Sequence, residues 1–229
     1  ERAAQLAGFA LMMKGRKYNK RFFKKEIIPN IIAFQNIESH PKFIYAKVLG
    51  SLIKINQTEA DAIVIDETSL FANRDKHLKK QMDLLASKYD IIVTNPPYLN
   101  SSYMEGKLKQ FVEKEYKDTK SDLFACFLVQ ASNLTKKNGL IGFISPFVWM
   151  FIQSYENLRN FIIANTTISS LVQLEYNAFG PACVPIATFV LRNQMINNYK
   201  GSYIKLSDFT GEENQPVRTL EAIRNPNSK

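Results

Sequence analysis

Tyr89-Asp90-Ile91-Ile92-Val93-Thr94-Asn95-Pro96-Pro97-Tyr98 is the stretch that decides the fold. The short, nearly all-apolar run from Asp90 to Thr94 has the pattern of a strand buried on both faces in a parallel sheet. It stops at two consecutive prolines, each lacking an N–H and fixing φ, so the ladder cannot continue. The strand therefore ends in a rigid loop. That loop offers an amide side chain, outward backbone carbonyls and one aromatic face. Two acceptors beside a stacking plane suit a flat base or amide bearing an NH2 group. A plain strand-ending turn has no need of Asn, two prolines and an aromatic together.

Downstream, residues 99–120 are polar and lysine-rich and predict a loop with at most a short helix. Ser121-Asp122 then caps a helix through Leu123, Phe124, Cys126, Phe127, Leu128 and Leu134, closed by Asn138-Gly139. Leu140 to Ser145 is the next buried strand, stopped by Pro146, and Ser154 to Ala164 is another helix. Ile168 to Leu174 and Pro185 to Leu191 are β-rich, separated by the turn-forming Asn177-Ala-Phe-Gly-Pro181, and predict an antiparallel pair. Strand, helix, strand, helix and β-pair is the order of a doubly wound, Rossmann-like α/β sheet with an antiparallel edge.

Upstream, Ala3, Ala4, Leu6, Ala7, Ala10, Leu11 and Met13 recur at helical spacing, so Glu1 to about Lys14 predicts an amphipathic helix. Asn30 to Phe34 is β-like after Pro29, and Ala46 to Ile55 is an apolar run broken at Gly50-Ser51. Thr58 to Ser87 is charged and bears Leu and Ala, predicting one or two helices with Asn73 as the candidate break. Residues 1–210 are expected to form one catalytic domain, present only in part. Gly211 to Lys229, polar and with two prolines, is expected to fray as a tail or as the start of a linker.

The chain has 229 residues, 45% of them hydrophobic, enough for one sizeable core and little for a second. Glu1 and Arg2 lead straight into the first helical pattern, with no signal peptide, and the opening on Glu rather than Met predicts a processed product or a fragment. The most apolar stretch, Leu140 to Ile152, is far shorter than the roughly 20 residues that span a bilayer. A soluble, cytoplasmic protein without membrane contact is expected. Cys126 and Cys183 lie in apolar surroundings and predict buried structural thiols in a reducing compartment. His40 and His77 are isolated from any cluster of metal-ligand spacing, so no metal is expected.

The formal net charge is +9, which favours polyanionic partners but is also common in proteins that never touch nucleic acid. Lys14, Arg16, Lys17, Lys20, Arg21, Lys24 and Lys25 interleave with Tyr18, Phe22 and Phe23. Such a cluster could track a DNA backbone, and a solvated helix end would carry the same residues. Lys107, Lys109, Lys114, Lys117 and Lys120 follow the proline loop directly, where electrostatic steering of an anionic substrate is the favoured reading.

Asp90-Ile-Ile-Val-Thr-Asn-Pro-Pro-Tyr98 resembles the catalytic motif of S-adenosylmethionine-dependent, adenine-specific DNA methyltransferases. The likeness continues through Lys120-Ser-Asp-Leu-Phe-Ala125, Lys137-Asn-Gly-Leu-Ile-Gly142 and Trp149-Met-Phe151. Glu1-Arg-Ala-Ala-Gln-Leu-Ala7 and Leu49-Gly-Ser-Leu-Ile53 are similar to the BREX-type (phage growth limitation) and related single-chain restriction-modification methyltransferases.

The resemblance implies methyl transfer from S-adenosylmethionine to the N6 amine of an adenine flipped out of double-stranded DNA. Asn95 and the Pro96 carbonyl would hold the amine, Pro97 would stiffen the loop, and Tyr98 would stack on the base. It also implies cofactor contacts at Ser51, Leu52, Asp122, Leu123 and Phe124, where ordinary core and capping roles are an equal alternative. Phe179 would flank the base, with packing beneath its turn as the alternative. Other restriction or defence subunits are the expected partners.

Two features depart from the family. No glycine-rich cofactor loop follows any strand, and the ribose-binding acid expected just before Glu1 is absent from the chain. The 229 residues alone are therefore expected to lack the first strands, to bind cofactor weakly or not at all, and to be inactive. Methyltransferases acting on a protein glutamine or on RNA guanine use the same loop and remain the alternative enzymes. A degenerate DNA-binding module is the non-enzymatic one.

Overall fold

In the computed structural model, residues 2–25, 27–176, 178 and 184–225 are described. The chain divides into two compact units, Glu1–Ala86 and Ser87–Lys229.

The first unit is helical. Its elements are α1 (Arg2–Tyr18), α2 (Ala46–Leu49), α3 (Gln57–Asp61) and α4 (Ala72–Ala86). Phe43, Leu52, Ile53 and Met82 are its fully buried large side chains, whereas α1 buries none of its residues. The β-like stretch Asn30 to Phe34 forms no strand. Side chains of α4 hold this segment instead. Gln35 N–H donates to Gln81 Oε1 at 2.9 Å, and the Ala33 carbonyl lies 3.1 Å from His77 Nε2. The apolar run 46–55 is likewise helical, split where Gly50 adopts φ 52° and turns into a 3-10 segment.

Residues 58–87 do hold two helices, but Asn73 lies inside α4 rather than between them. The break comes earlier because side-chain bonds set both helix starts. Asn56 and Glu59 form a reciprocal capping box at the head of α3. Asp66 accepts from Thr68 N–H at 2.9 Å, and Ser69 Oγ accepts from Phe71 N–H at 3.1 Å ahead of α4.

The second unit is a five-stranded sheet with helices. Its strands are β1 (Tyr89–Thr94), β2 (Thr135–Pro146), β3 (Thr167–Gln173), β4 (Ile186–Arg192) and β5 (Ser202–Lys205), in spatial order β1-β2-β4-β3-β5. Its helices are α5 (Gly106–Glu115), α6 (Leu123–Leu134), α7 (Glu156–Asn165) and α8 (Asn214–Arg224). β1 and β2 run parallel, as do β3 and β5, and β4 is antiparallel to both its neighbours. α6 and α7 pack one side of this mixed α/β sheet. Phe124, Leu128, Leu158 and Ile162 meet Ile141, Phe143, Phe189 and Leu191 in a single apolar cluster.

The antiparallel β3/β4 pair expected from sequence is present, but β4 lies between β2 and β3 rather than at an edge. Ile186, Ala187, Phe189 and Leu191 are all buried, which suits a central strand. β5, with the mixed composition Ser-Tyr-Ile-Lys, occupies the edge.

Four further expectations need correction. β1 is not buried on both faces. Ile92 packs on the apolar cluster, while Ile91 and Val93 alternate to the other side and are 63% and 79% exposed. α6 stops at Leu134, short of Asn138-Gly139, where Thr135 Oγ1 donates back to the Ala131 carbonyl at 2.7 Å and β2 begins. Residues 99–120 hold the ten-residue helix α5, made amphipathic by buried Val112. The segment after Gly211 folds into α8 because Gln215, 6% exposed, ties it down. Its side chain accepts from Glu175 N–H at 3.1 Å and donates to the Phe209 carbonyl at 2.6 Å.

Candidate active site

β1 and β2 are parallel, so their carboxyl ends share one side of the sheet, the side on which open α/β sheets receive ligands. Asn95 leaves β1 there and is exposed, Pro96 is buried, Pro97 is exposed and Tyr98 is half-buried. The Tyr98 hydroxyl donates to Asn95 Oδ1 at 2.9 Å. Burial pushes the Tyr98 phenol above its ordinary pKa, which keeps it a donor. A carbonyl oxygen has two lone pairs, so this bond fixes the Asn95 amide and leaves one acceptor site open.

Behind Tyr98 stands an aromatic stack. Its ring meets Phe124 edge-on at 6.4 Å, and Phe124 meets Tyr155 at 5.6 Å. The Tyr155 phenol is pushed up to about 12, first by burial and then by the charge of Asp122. Trp149 closes the cluster, packed edge-on to Phe189 at 5.5 Å, with its carbonyl accepting from Arg159 Nη1 at 2.7 Å.

Asp122 joins the loop to α6. One carboxylate oxygen accepts from Leu99 N–H at 3.1 Å and from Phe124 N–H at 3.3 Å. Leu123 N–H donates to the Leu99 carbonyl at 2.9 Å, and Ser101 N–H to the Ser121 carbonyl at 3.0 Å. The loop after Tyr98 is thus stitched to the start of α6 by three bonds, while the Phe124 N–H bond to Asp122 caps the helix itself. Asp122 is 7% exposed, and burial raises its carboxyl above the usual range against the downward pull of these N–H groups.

The structure brings Asn95, Pro96, Pro97 and Tyr98 together with Asp122, Leu123 and Phe124. The side chains of Leu123 and Phe124 are 5% and 1% exposed and belong to the core. Ser51 and Leu52 lie in the 3-10 turn of the first unit, Ser51 half-buried and Leu52 1% exposed in that unit's core. Asp122 and Ser51 are the polar members of the candidate cofactor set. Phe179, Cys183 and part of the turn Asn177–Pro181 lie outside the described residues, whereas Cys126 is fully buried.

Tyr155 was not marked by the sequence, because an aromatic at a helix start carries no signal until the fold sets it against Phe124. The Leu99 contact of Asp122 had half a signal: Ser-Asp before an apolar run announces a cap, but not a second acceptor bond. Among the described residues no group of three or more His, Cys, Asp or Glu could hold a metal ion. None of their helices is long and apolar enough to cross a membrane.

Residues 1–179 match the Eco57I restriction-modification methylase family. Over 267 residues the chain is 32% identical to the adenine-specific methyltransferase PglX of Lacticaseibacillus casei (strain Zhang), covering 99% of this chain and 22% of that protein. It is 29% identical over 288 residues to the adenine-specific methyltransferase BrxX of Escherichia coli O9:H4 (strain HS), covering 98% and 24%. The chain thus spans less than a quarter of the length of these curated relatives. Among solved structures, a nuclease-deletion mutant of the Type ISP restriction-modification enzyme LlaGI with a DNA substrate mimic aligns at a TM-score of 0.49 and 15% identity. That alignment covers 78% of this chain and 18% of the other.

Proposed function

The chain belongs to the Eco57I restriction-modification methylase family, and on that premise we propose that the complete protein methylates the N6 amine of adenine in double-stranded DNA. The methyl donor is S-adenosylmethionine, which supplies an electrophilic methyl group on its sulfonium. The setting is a restriction-modification or phage-defence system in the cytoplasm, together with other subunits of that system. The protein-glutamine and RNA-guanine alternatives lose ground because both relatives bear the name adenine-specific.

One observation carries the reading: the Asn95 amide is oriented by the Tyr98 hydroxyl at 2.9 Å, with one acceptor site left over. The exocyclic amine of adenine is a poor nucleophile because its lone pair is delocalised into the ring. Hydrogen bonds accepted by Asn95 Oδ1 and the Pro96 carbonyl draw its protons out of the ring plane and localise that pair for attack. Tyr98, braced by Phe124, stacks on the base once it leaves the duplex. The two prolines keep the loop from relaxing, so the acceptors are placed before the base arrives. No covalent step on the protein is called for.

On the cofactor side, Asp122 and Ser51 are the polar groups this chain offers, each within its own unit, while Leu52, Leu123 and Phe124 belong to the cores of those units. The chain's own described residues therefore fit the base more fully than the donor.

The test is the complete protein, labelled S-adenosylmethionine and unmethylated DNA. Label is expected in N6-methyladenine, and label confined to a protein glutamine or to RNA would overturn the reading. Asn95→Ala is expected to cut turnover by roughly a hundredfold or more, the scale for losing one placed hydrogen-bonding group. Its DNA affinity should stay within about twofold, because only a bond to the reacting group is removed. A variant that methylates at the parent rate would rule Asn95 out as the amine acceptor.

A further inference from the structure

We propose that the cleft between Ser101–Met104 and α5 seats a backbone phosphate of the DNA strand whose base enters the Asn95–Tyr98 loop, with Lys109 and Lys120 as its cationic ligands. The proposal rests on the methyltransferase reading of that loop and extends it to the strand that carries the base.

The cleft measures about 220 Å³. Lys109 and Lys120 line it from different elements, α5 and the segment leading into α6, together with Ser101 and Ser102. Among the described residues neither ammonium has an ion pair or a side-chain hydrogen bond. Lys107 and Lys114 of the same run differ, since Lys107 reaches Gln110 Oε1 at 3.4 Å and Lys114 lies 4.0 Å from Glu115. Two positive charges on the lining of one small space repel each other, and the single carboxylate on that lining, Glu113, offsets only one of them.

The other lining groups fit the charge and the chemistry of a phosphodiester. Glu113 also borders the cleft. It offsets one ammonium and leaves a net single positive charge, the complement of a diester's single negative one. The Ser101 hydroxyl has no partner among the described residues and can donate to a phosphate oxygen, whereas Ser102 is engaged with Asn100 Oδ1 at 2.9 Å. Met104 and Val112, 2% and 1% exposed, form an apolar floor that weakens dielectric screening.

The placement follows from the three bonds that stitch Leu99 and Ser101 to Ser121–Leu123. They make the cleft wall and the base-holding loop one rigid piece. A base cannot enter the Asn95–Tyr98 loop without bringing its flanking phosphates past that piece. Phosphate contacts fix register and carry no sequence information, which suits a seat inside the catalytic unit.

The test is the salt dependence of DNA binding by the complete protein. In the double variant Lys109→Gln and Lys120→Gln, the slope of log K against log salt is expected to become shallower by about 0.9, the value for the one phosphate that the two lysines share. Affinity at about 0.15 M salt is expected to fall about fivefold. The charge-matched variant Lys137→Gln and Lys200→Gln should keep the parent slope within about half a unit. An unchanged slope in the first variant, or an equal loss in both, would overturn the seat. If the parent protein methylates DNA adenine and the slope does not move, the seat alone fails. If the slope moves and no adenine is methylated, the methyltransferase reading fails and the phosphate seat stands.

Discussion

The two ends of the β1/β2 pair are held in opposite ways. At the amino end, Tyr89 pairs with Thr135 and Ile91 with Leu140, so residues 136–139 bulge out of the ladder. The polar groups bonded there serve the fold. Lys136 binds Asp90 at 2.9 Å, Asn138 takes φ 66°, and the Asn193 amide donates to the Ser132 and Thr135 carbonyls at 2.9 and 2.8 Å. At the carboxyl end the ladder stops at prolines, and the bonds go into placing Asn95 and Tyr98 rather than into continuing the sheet. Both ends are irregular. At the carboxyl end the Asn95 amide is held by Tyr98 with an acceptor site left over, and that difference separates a structural bulge from a candidate site loop.

The contrast can be broken first at Gly139. A Cβ there would stand 2.7 Å from the Asp90 carbonyl oxygen and 2.6 Å from Thr135 Cγ2. Gly139→Ala is therefore expected to cost about 1–3 kcal/mol of stability, read as a lowered midpoint in denaturant or heat. Loss of activity should follow only as far as folding is lost. A midpoint equal to the parent's would mean that the bulge is not fixed by that close approach.

Asp122 comes next, because it serves both structure and site. Asp122→Ala removes the α6 cap and the Leu99 tether and is expected to cost about 1–2 kcal/mol, with methylation impaired beyond the folding loss. Asp122→Asn keeps an acceptor and reports on charge alone. The folded carboxyl has its pKa raised by burial, so the folded protein binds more protons than the unfolded one between the two values. Stability contributed by this group therefore falls as pH rises through that window. At pH 7 Asp122→Asn should be at least as stable as the parent, and the advantage should vanish below the ordinary Asp range near about 4. An advantage that persists in acid would show that the charge of Asp122 is not the cause.

The smallest expected effect sharpens the carboxyl end. Tyr98→Phe keeps the stacking ring and loses the bond to Asn95 Oδ1. The loss of one hydrogen bond, about 1 kcal/mol, corresponds to a several-fold drop in kcat/KM with unchanged melting. A drop as deep as that of Asn95→Ala would make the hydroxyl itself part of what holds the amine.

Much of the candidate site's local geometry was legible in the chain. Asn95-Pro96-Pro97-Tyr98 announced itself because prolines act locally, through a fixed φ and a missing donor. The Asp122 cap was readable for the same reason. Ile91 and Val93 show where such reading ends. Their apolar character fits a buried strand, yet burial depends on which elements cover each face, and residue type does not encode that. Asn30 to Phe34 fails similarly, since the Gln81 and His77 side chains that hold the segment come from more than 40 residues away.

The sequence by itself determined the rigid loop, the helix α6 that follows it, the parallel pair β1/β2 and the polar acceptors at their shared end. These rest on short-range sterics and on patterns within one element. Only the tertiary structure decided that β4 lies between β2 and β3, that Phe124 and Tyr155 brace Tyr98, and that Asp122 reaches back to Leu99. Each of those is a contact between residues far apart in sequence, selected by packing the whole sheet rather than by any segment of it.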